Sequence, residues 1–459
     1  MKTDMTQGTE WKKILSFSLP IIIGQLIQQL YTTVDGIVVG RFVDQNALAA
    51  VGSCMALVMI FMGLAIGLTT GNGIMIAQYY GAKKQDELSR CVSTSMILIG
   101  ALGIAVTLFT VFGARFLVTS VLKVDIPEIR EQAITYFMVS SIGMGFHFLF
   151  TCVNSILRSI GDSRATLYFL VFSALLNLVL DLLFVVALDW GVAGAGLCSI
   201  IVYLSCMIVS MIYMFKKYPV LRFRLKDMKF DVSKAKVIFR LGLPAVLQQE
   251  VTSLGHLLIQ HVVISFGADT MAAFTVGTRI DGMLFAIVFG MNAGISTFTG
   301  QNIGAGEIER VKNAWKRGLL MSGLITLFAS STVFVFAAPL AQLFDVSGEA
   351  MTRSVEFLKY NCTFFTIFAL NGVTLAVLQG AGDVLFTTVA SLTSFTIRVT
   401  VTFLLAYVFK IGYTSIWLTV PFGWTASLIM GLIRYSRGAW KKKDLVNSTG
   451  KEKALEAAE

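Results

Sequence analysis

The chain has 459 residues, of which 56% are apolar and only 14% are charged, and its net charge is +10. Soluble domains carry about 25% charged residues, so this composition excludes an ordinary soluble protein, and its high hydrophobicity excludes a disordered chain. The apolar runs are long and continuous, which argues against the alternating strands of a membrane β-barrel. Because about 20 consecutive apolar residues make one membrane-spanning helix, the sequence predicts an all-α integral membrane protein.

Twelve charge-poor stretches follow one another along the chain and predict twelve transmembrane helices. They cover residues 14–40, 47–80, 91–115, 132–157, 165–188, 191–215, 241–266, 270–303, 318–343, 357–380, 385–409 and 412–433. A basic segment separates the first six from the last six. The sequence therefore predicts an N-terminal six-helix lobe, a basic cytoplasmic linker, a C-terminal six-helix lobe and a cytoplasmic tail, at residues 1–215, 216–240, 241–434 and 435–459.

The orientation follows from the basic residues. Most of the 37 Lys and Arg residues fall in the two termini and in the loops on one side of the predicted helices. Basic loops stay in the cytoplasm, so both termini are expected there. Topology thus accounts for the positive charge, and we expect no nucleic-acid partner.

The two halves of the chain repeat each other at an offset of about 223 residues. The matches are Leu19-Pro20 with Leu243-Pro244, Gly67 and Gly71 with Gly290 and Gly294, and Gly161-Asp162 with Gly382-Asp383. Because each half has an even number of helices, the repeat is parallel and relates two bundles about an axis along the membrane normal. This pattern predicts a V-shaped two-lobe architecture, which is typical of secondary transporters with alternating access.

Four polar residues within the predicted helices of the first half stand out, because a charge there costs about 2.5–3.5 kcal/mol. Asp35, Asp181 and Ser199 are expected at a similar depth, and Asn177 shares a helix face with Asp181 because they are four residues apart. Two carboxylates with amide and hydroxyl oxygens suit a hard cation such as Na+, or a proton. The alternative is that each carboxylate caps a helix or pairs structurally near the interface.

Three charged residues within the predicted helices of the second half stand out, Glu250, Arg279 and Arg398. A salt bridge between Glu250 and one of the arginines is one explanation, because a buried unpaired ion is worse than a pair. A substrate or proton role is the other, since intramembrane ions are usually functional. In the second half, the positions that match Asn177 and Asp181 hold Arg398 and Thr402, so the lobes are not chemically equivalent.

No phosphate-binding GxxxxGK[ST] motif occurs in the chain, so ATP is not expected to drive it. No catalytic constellation of Ser, His and Asp and no metal-ligand spacing of Cys or His is found either. We expect the protein not to be an enzyme and to act as a monomer.

Several motifs, taken in order, resemble the multidrug and toxic compound extrusion (MATE) family. They are Thr33-Val34-Asp35 with Val39-Gly40, Ala47-Leu48-Ala49-Ala50-Val51-Gly52, Leu157-Arg158-Ser159-Ile160-Gly161-Asp162, Gly191-Val192-Ala193-Gly194-Ala195, Gly300-Gln301-Asn302-Ile303-Gly304-Ala305 and Leu378-Gln379-Gly380-Ala381-Gly382-Asp383. The resemblance implies an inner-membrane antiporter that expels amphipathic, often cationic compounds in exchange for Na+ or H+, with no cofactor beyond that ion.

The resemblance also assigns residues. It implies that the family's first-lobe cation site falls on Asp35, Asn177 and Asp181, with Ser199 where Thr is common, and that a family carboxylate falls on Glu250. Some members carry an acid on helix 10, but the stretch Phe365-Thr366-Ile367-Phe368-Ala369-Leu370-Asn371 has none. This departure favours the first lobe as the coupling site.

Two other functions stay open. A lipid-linked precursor flippase of related fold often has basic residues in its central cavity, a role that Arg279 and Arg398 suit. A membrane scaffold or receptor is the other, although the repeat and the intramembrane acids argue against it. Flux into or out of vesicles separates a scaffold from both transporters.

Overall fold

The structure is a computed structural model that describes residues 4–42, 45–188, 190–222 and 228–446, without the side chains of 31–42 and 45–48. Within these ranges all regular structure is helical, which confirms the all-α expectation. The helices of the first half are α1 Glu10–Phe42, α2 Gln45–Gly81, α3 Gln85–Phe116, α4 Pro127–Ile142, α5 Met144–Ser159, α6 Ser163–Asp181 and α7 Gly191–Lys217. Those of the second half are α8 Val232–Ser265, α9 Ala268–Gly304, α10 Ile308–Val335, α11 Ala337–Gln342, α12 Gly348–Gly380, α13 Val384–Phe403, α14 Ser415–Leu418 and α15 Val420–Ser436.

The helices account for the twelve expected spans. Ten helical stretches among the described residues are long and apolar enough to cross a membrane, and α4 with α5 forms a further span that bends by 42°. The last is α8, which is 34 residues long but is interrupted by polar residues such as Gln248, Gln249 and Glu250. The twelve-helix architecture expected from the sequence is thus confirmed.

Three helices end in a π-helical turn. The turns are Leu117–Val121 after α3, Leu182–Ala187 after α6 and Leu404–Val408 after α13. The last two occupy matching places in the two halves. A π-helical turn changes the direction of the side chains that flank it and is frequent at functional sites. The residues just before each turn are therefore candidates for a functional site.

The described chain groups into two compact units. Ile23–Val246 forms the bulk of the first, and the stretch that ends at Ile22 joins the part that begins at Leu247 in the second. The first part of α1 therefore belongs to the second unit and its remainder to the first. The first part of α8 belongs to the first unit and its remainder to the second. The ends of the two six-helix lobes, which the sequence predicts at residues 215 and 241, stay a prediction.

A proline precedes both of these changes of unit. Pro20 lies inside α1 and Pro244 inside α8, two residues before Ile22 and Val246 respectively. Proline has no backbone N–H and its ring clashes with the preceding turn, so a helix is weakest there. The repeated proline thus places a weak point in each shared helix.

In the first unit, α8 packs closely against two glycines of α2. A Cβ atom added to Gly67 would lie 2.4 Å from the backbone nitrogen of Val246, and one added to Gly71 would lie 2.5 Å from that of Gly242. Only glycine lets the two backbones approach so closely, as in other membrane helix pairs with the GxxxG pattern.

The second unit repeats this packing with α9 and the start of α1. A Cβ atom added to Gly290 would lie 2.4 Å from a side-chain carbon of Ile22, and one added to Gly294 would lie 2.1 Å from the hydroxyl of Ser18. The two units therefore use equivalent glycine pairs to hold equivalent helix segments.

Ion pairs hold the same segments, with their signs reversed. In the first unit Lys234, at the start of α8, lies 2.9 Å from the Glu87 carboxylate. In the second unit Glu10, at the start of α1, lies 3.0 Å from Arg317 and 4.0 Å from Arg310. At the repeat offset Glu10 matches Lys234 and Glu87 matches Arg310, so the acid and the base have changed places.

A buried carboxylate ties the end of α7 to the loop between α5 and α6. Asp162 accepts hydrogen bonds from Tyr218 at 2.7 Å and from Lys217 and Tyr213 at 2.9 Å. Burial raises the pKa of Asp162, but the hydrogen bonds from these three side chains outweigh it and hold the pKa below its usual value. Asp383 has an analogous partner in the second half, because Arg434 lies 2.7 Å from it.

We expect Asp162→Asn to lower the free energy of unfolding by about 2 kcal/mol near neutral pH, because charge-assisted hydrogen bonds are worth about 1.5–3 kcal/mol. Because the pKa of Asp162 is lowered in the folded state, its contribution is present above the pKa of an unfolded Asp and is lost as pH falls through the lowered value. Thermal unfolding in detergent between pH 7 and pH 3 measures both effects. Equal acid sensitivity of variant and wild type would contradict the assignment.

Candidate functional site

Helices α6 and α7 run antiparallel in the first unit, and two contacts give their register. The rings of Phe169 and Tyr213 are 5.5 Å apart, and the carbonyl oxygen of Phe184 lies 3.1 Å from where a Cβ of Gly194 would be. The two residue numbers of each pair add up to nearly the same value, so one register holds along the whole helix pair.

This register sets the levels of the polar residues. Asp181 on α6 lies level with Ser199 on α7, and Asn177 lies level with Tyr203. The residues Asn177 and Asp181 share one face of α6, because four residues are about one helical turn. Oxygen atoms of three side-chain types are therefore brought to one stretch of the first unit.

The side chain of Asp181 is buried, with 6% of its surface exposed. It is the last residue of α6, directly before the π-helical turn Leu182–Ala187. Neither Asp181 nor Asn177 is free of partners, and Ser199 donates to the carbonyl of Ala195 at 3.4 Å. The side chain of Asp35 lies outside the described residues, so its place in this group stays a prediction.

Two residues of α5, His147 and Asn154, are further polar groups of this unit, and Asn154 was not singled out from the sequence. The ring of His147 packs edge-on against Tyr203, with ring centroids 4.8 Å apart. Asn154 is buried, and its side-chain oxygen has no hydrogen-bond partner. An amide inside an apolar run was the available signal for Asn154.

In the second unit, a salt bridge of Glu250 with Arg279 or Arg398, one of the two explanations that the sequence left open, is not seen among the described residues. One carboxylate oxygen of Glu250 is buried without a hydrogen-bond partner. Within the described part of the chain, Glu250 forms no ion pair within 4 Å with Arg279 or with Arg398. The side chain of Arg279 is exposed. A substrate or proton role for Glu250 stays a prediction.

The charged neighbour of Arg398 is instead Asp281 on α9, a residue that was not singled out from the sequence. Asp281 has 3% of its surface exposed and accepts a hydrogen bond from the amide of Asn361 on α12. The guanidinium of Arg398 acts electrostatically on this carboxylate. Because Asp281 lies within the apolar run 270–303, the rule that singled out Arg279 two residues earlier was enough to find it.

Comparisons with known proteins agree with this fold. The family model MatE matches residues 20–183 and 244–404. The probable multidrug resistance protein YoeA of Bacillus subtilis (strain 168) is 25% identical over 444 residues, which is 95% of each chain.

Solved structures are similar over nearly the whole chain. A crystal structure of MATE in complex with MaL6 has a TM-score of 0.90 and 26% identity, over 96% of this chain and 99% of that one. An outward-facing multidrug resistance MATE family transporter of the MOP superfamily has a TM-score of 0.89 and 26% identity, over 95% and 98% of the two chains. With the family model matching both halves of the repeat, and with transporters of the same twelve-helix fold among its structural relatives, this chain belongs to the MATE family of membrane transporters.

Proposed function

We propose that the protein is a secondary active antiporter of the cytoplasmic (inner) membrane that exports amphipathic or cationic small molecules in exchange for H+ or Na+. The observation that carries the proposal is the buried carboxylate of Asp181, one turn from Asn177 and level with Ser199. A carboxylate inside a membrane is costly unless a proton or cation neutralises it. Relatives described as multidrug resistance proteins support the substrate class.

In this proposal Asp35, Asn177, Asp181 and Ser199 form the coupling site. Their carboxylate, amide and hydroxyl oxygens suit Na+, and either carboxylate also accepts a proton. A cation from outside neutralises the acids, bends or repacks α1 near Pro20 or Gly36, and weakens the binding of a cationic substrate. The substrate leaves to the outside, and the cation is released after the site opens to the cytoplasm. The protein works as a monomer with both termini in the cytoplasm and needs no other cofactor.

The test is efflux of a fluorescent lipophilic cation from proteoliposomes under an imposed H+ or Na+ gradient. We expect Asp181→Asn and Asp35→Asn each to reduce gradient-driven efflux at least tenfold, because an amide cannot exchange a proton. The matched control is Asp345→Asn, since Asp345 is exposed and has a positive φ of 54° that Asn adopts readily.

The gradient that drives wild-type efflux identifies the coupling ion. Full gradient-driven efflux by folded Asp181→Asn protein would overturn the coupling site.

A lipid-linked precursor flippase is the second candidate, and the observation that favours it is the buried Nε of Arg398, which has no hydrogen-bond partner among the described residues. A guanidinium inside a transporter suits the phosphate groups of such lipids. Translocation of a fluorescent lipid pyrophosphate across vesicles, without efflux of the lipophilic cation under either gradient, would support this function instead.

A further inference from the structure

A cluster of three polar side chains lies in the second unit, each from a different helix. Asp281 comes from α9, Asn361 from α12 and Arg398 from α13. Both Asp281 and Asn361 have 3% of their surface exposed. The helices α9 and α12 pack along much of their length, so the cluster is part of the packed interior of this unit.

The cluster leaves three buried polar atoms without a protein partner. They are one carboxylate oxygen of Asp281, the amide oxygen of Asn361 and the Nε of Arg398. Buried polar atoms almost always have partners, and each orphan asks for an explanation. The carboxylate and the guanidinium also do not form an ion pair within 4 Å in the described part of the chain. The cluster therefore has unused capacity for a proton or a hydrogen-bonding ligand.

Few titratable groups face Asp281. The charge of Arg398 acts on it, and the thiol of Cys362 on α12 lies close enough to feel it. From α8, His256 is close enough to feel Arg398. Helix α10 has no titratable residue after Arg317, and α11 has none. The ionised cluster is therefore electrically neutral, with one acid and one base.

The matching positions in the first half of the chain do not carry this cluster. Arg398 occupies the position that Asn177 has in the first half. The residues that match Asp281, within Ala56–Val58, are all apolar. An acid and an arginine have thus been placed in the interior of one half only, where each is costly alone.

We infer that Asp281 is a second proton-binding group, and that Arg398 converts its protonation into a change in the net charge of the second unit. This inference rests on the proposed antiport of cationic compounds. With Asp281 ionised, the cluster is neutral and tolerates a cationic substrate nearby. When a proton from the aqueous phase binds the free carboxylate oxygen, the guanidinium of Arg398 is left unbalanced. The cluster then carries one positive charge and repels the substrate, and release of the proton restores neutrality.

The experiment measures the Kd of tetraphenylphosphonium for purified protein by tryptophan fluorescence between pH 5 and pH 9. We expect wild-type affinity to weaken at least tenfold as pH falls. Asp281→Asn, which imitates the protonated acid, is expected to bind at least tenfold more weakly than wild type at pH 9. Arg398→Gln removes the positive charge. Protonation of Asp281 at low pH is therefore not expected to weaken the affinity of this variant for tetraphenylphosphonium. The double variant Asp281→Asn/Arg398→Gln is expected to regain tight binding.

Each outcome decides the inference. Wild-type affinity and pH profile in folded Asp281→Asn protein would overturn it. If that variant does not fold, Arg398→Gln alone decides, because an unchanged loss of affinity at low pH would overturn the switch. Efflux separates this result from the proposed function: if Asp181→Asn abolishes coupling while Asp281→Asn binds as wild type, the antiporter stands and this inference fails. If neither Asp181→Asn nor Asp35→Asn alters gradient-driven efflux, the proposed coupling site fails, and the binding profiles still decide the role of Asp281.

Discussion

Replacing Gly71 by alanine is expected to lower the free energy of unfolding by about 1–3 kcal/mol, as overpacking of a tight interior does. The new Cβ would lie 2.5 Å from the backbone nitrogen of Gly242 and 2.8 Å from the carbonyl oxygen of Ile238. These are backbone atoms, so no rotation of a side chain relieves the clash. Helices α2 and α8 must move apart, and we expect efflux to fall with the stability.

The matched control is Gly52→Ala on the same helix, because a Cβ at Gly52 meets nothing within 4 Å. That substitution is expected to be neutral or to stabilise the protein by about 0.5–1 kcal/mol, since alanine favours a helix over glycine. Thermal unfolding and efflux of both variants, measured side by side in one detergent and one lipid, provide the comparison. Equal stability of the two variants would contradict close packing of α2 against α8.

The second large effect is expected from reversing the charge of Lys234. Its side chain is 1% exposed, lies 2.9 Å from Glu87, and has its ammonium 3.8 Å from the ring centre of Tyr79. Lys234→Glu would place two carboxylates together and remove the cation–π contact. Breaking a fully buried pair costs about 3–5 kcal/mol. Because Glu87 is 29% exposed, we expect a loss of about 2–3 kcal/mol.

Two further variants make this prediction specific. Lys236→Glu changes an exposed charge two residues away and is expected to shift stability by less than about 0.5 kcal/mol. The swap Lys234→Glu/Glu87→Lys restores opposite signs and is expected to recover much of the loss. A double variant no more stable than Lys234→Glu would show that the ion pair is not what holds the start of α8.

The reversed signs of these pairs have a physical consequence for assembly. Glu10 pairs with Arg317 and Arg310, whereas its repeat counterpart Lys234 pairs with Glu87. Had the two starting segments exchanged places, Lys234 would meet the arginine and Glu10 would meet Glu87. Like charges disfavour that arrangement. The duplicated halves, which use equivalent glycine pairs for packing, are thus kept distinct by charge.

The candidate site shows which features can be predicted from the spacing of residues in the sequence and which cannot. The four-residue spacing of Asn177 and Asp181 was sufficient to place them on one helix face, because spacing and helix geometry are both local. The level of Ser199 beside Asp181 depends on the antiparallel register of α6 and α7, which the contacts of Phe169 and Gly194 determine. The sequence left open whether Glu250 pairs with an arginine, because a salt bridge depends on distances between helices that no sequence spacing specifies.

The sequence by itself determined the helical class, the number of spans and the duplication. These properties follow from the length of apolar runs and from repeated motifs, and both are written along the chain. Only the tertiary structure decided that α1 and α8 each contribute to both compact units, and that Asp281, Asn361 and Arg398 meet in one buried cluster. Those arrangements depend on which helices pack together, because residues 80 and 117 positions away from Asp281 become its neighbours only when α9, α12 and α13 assemble.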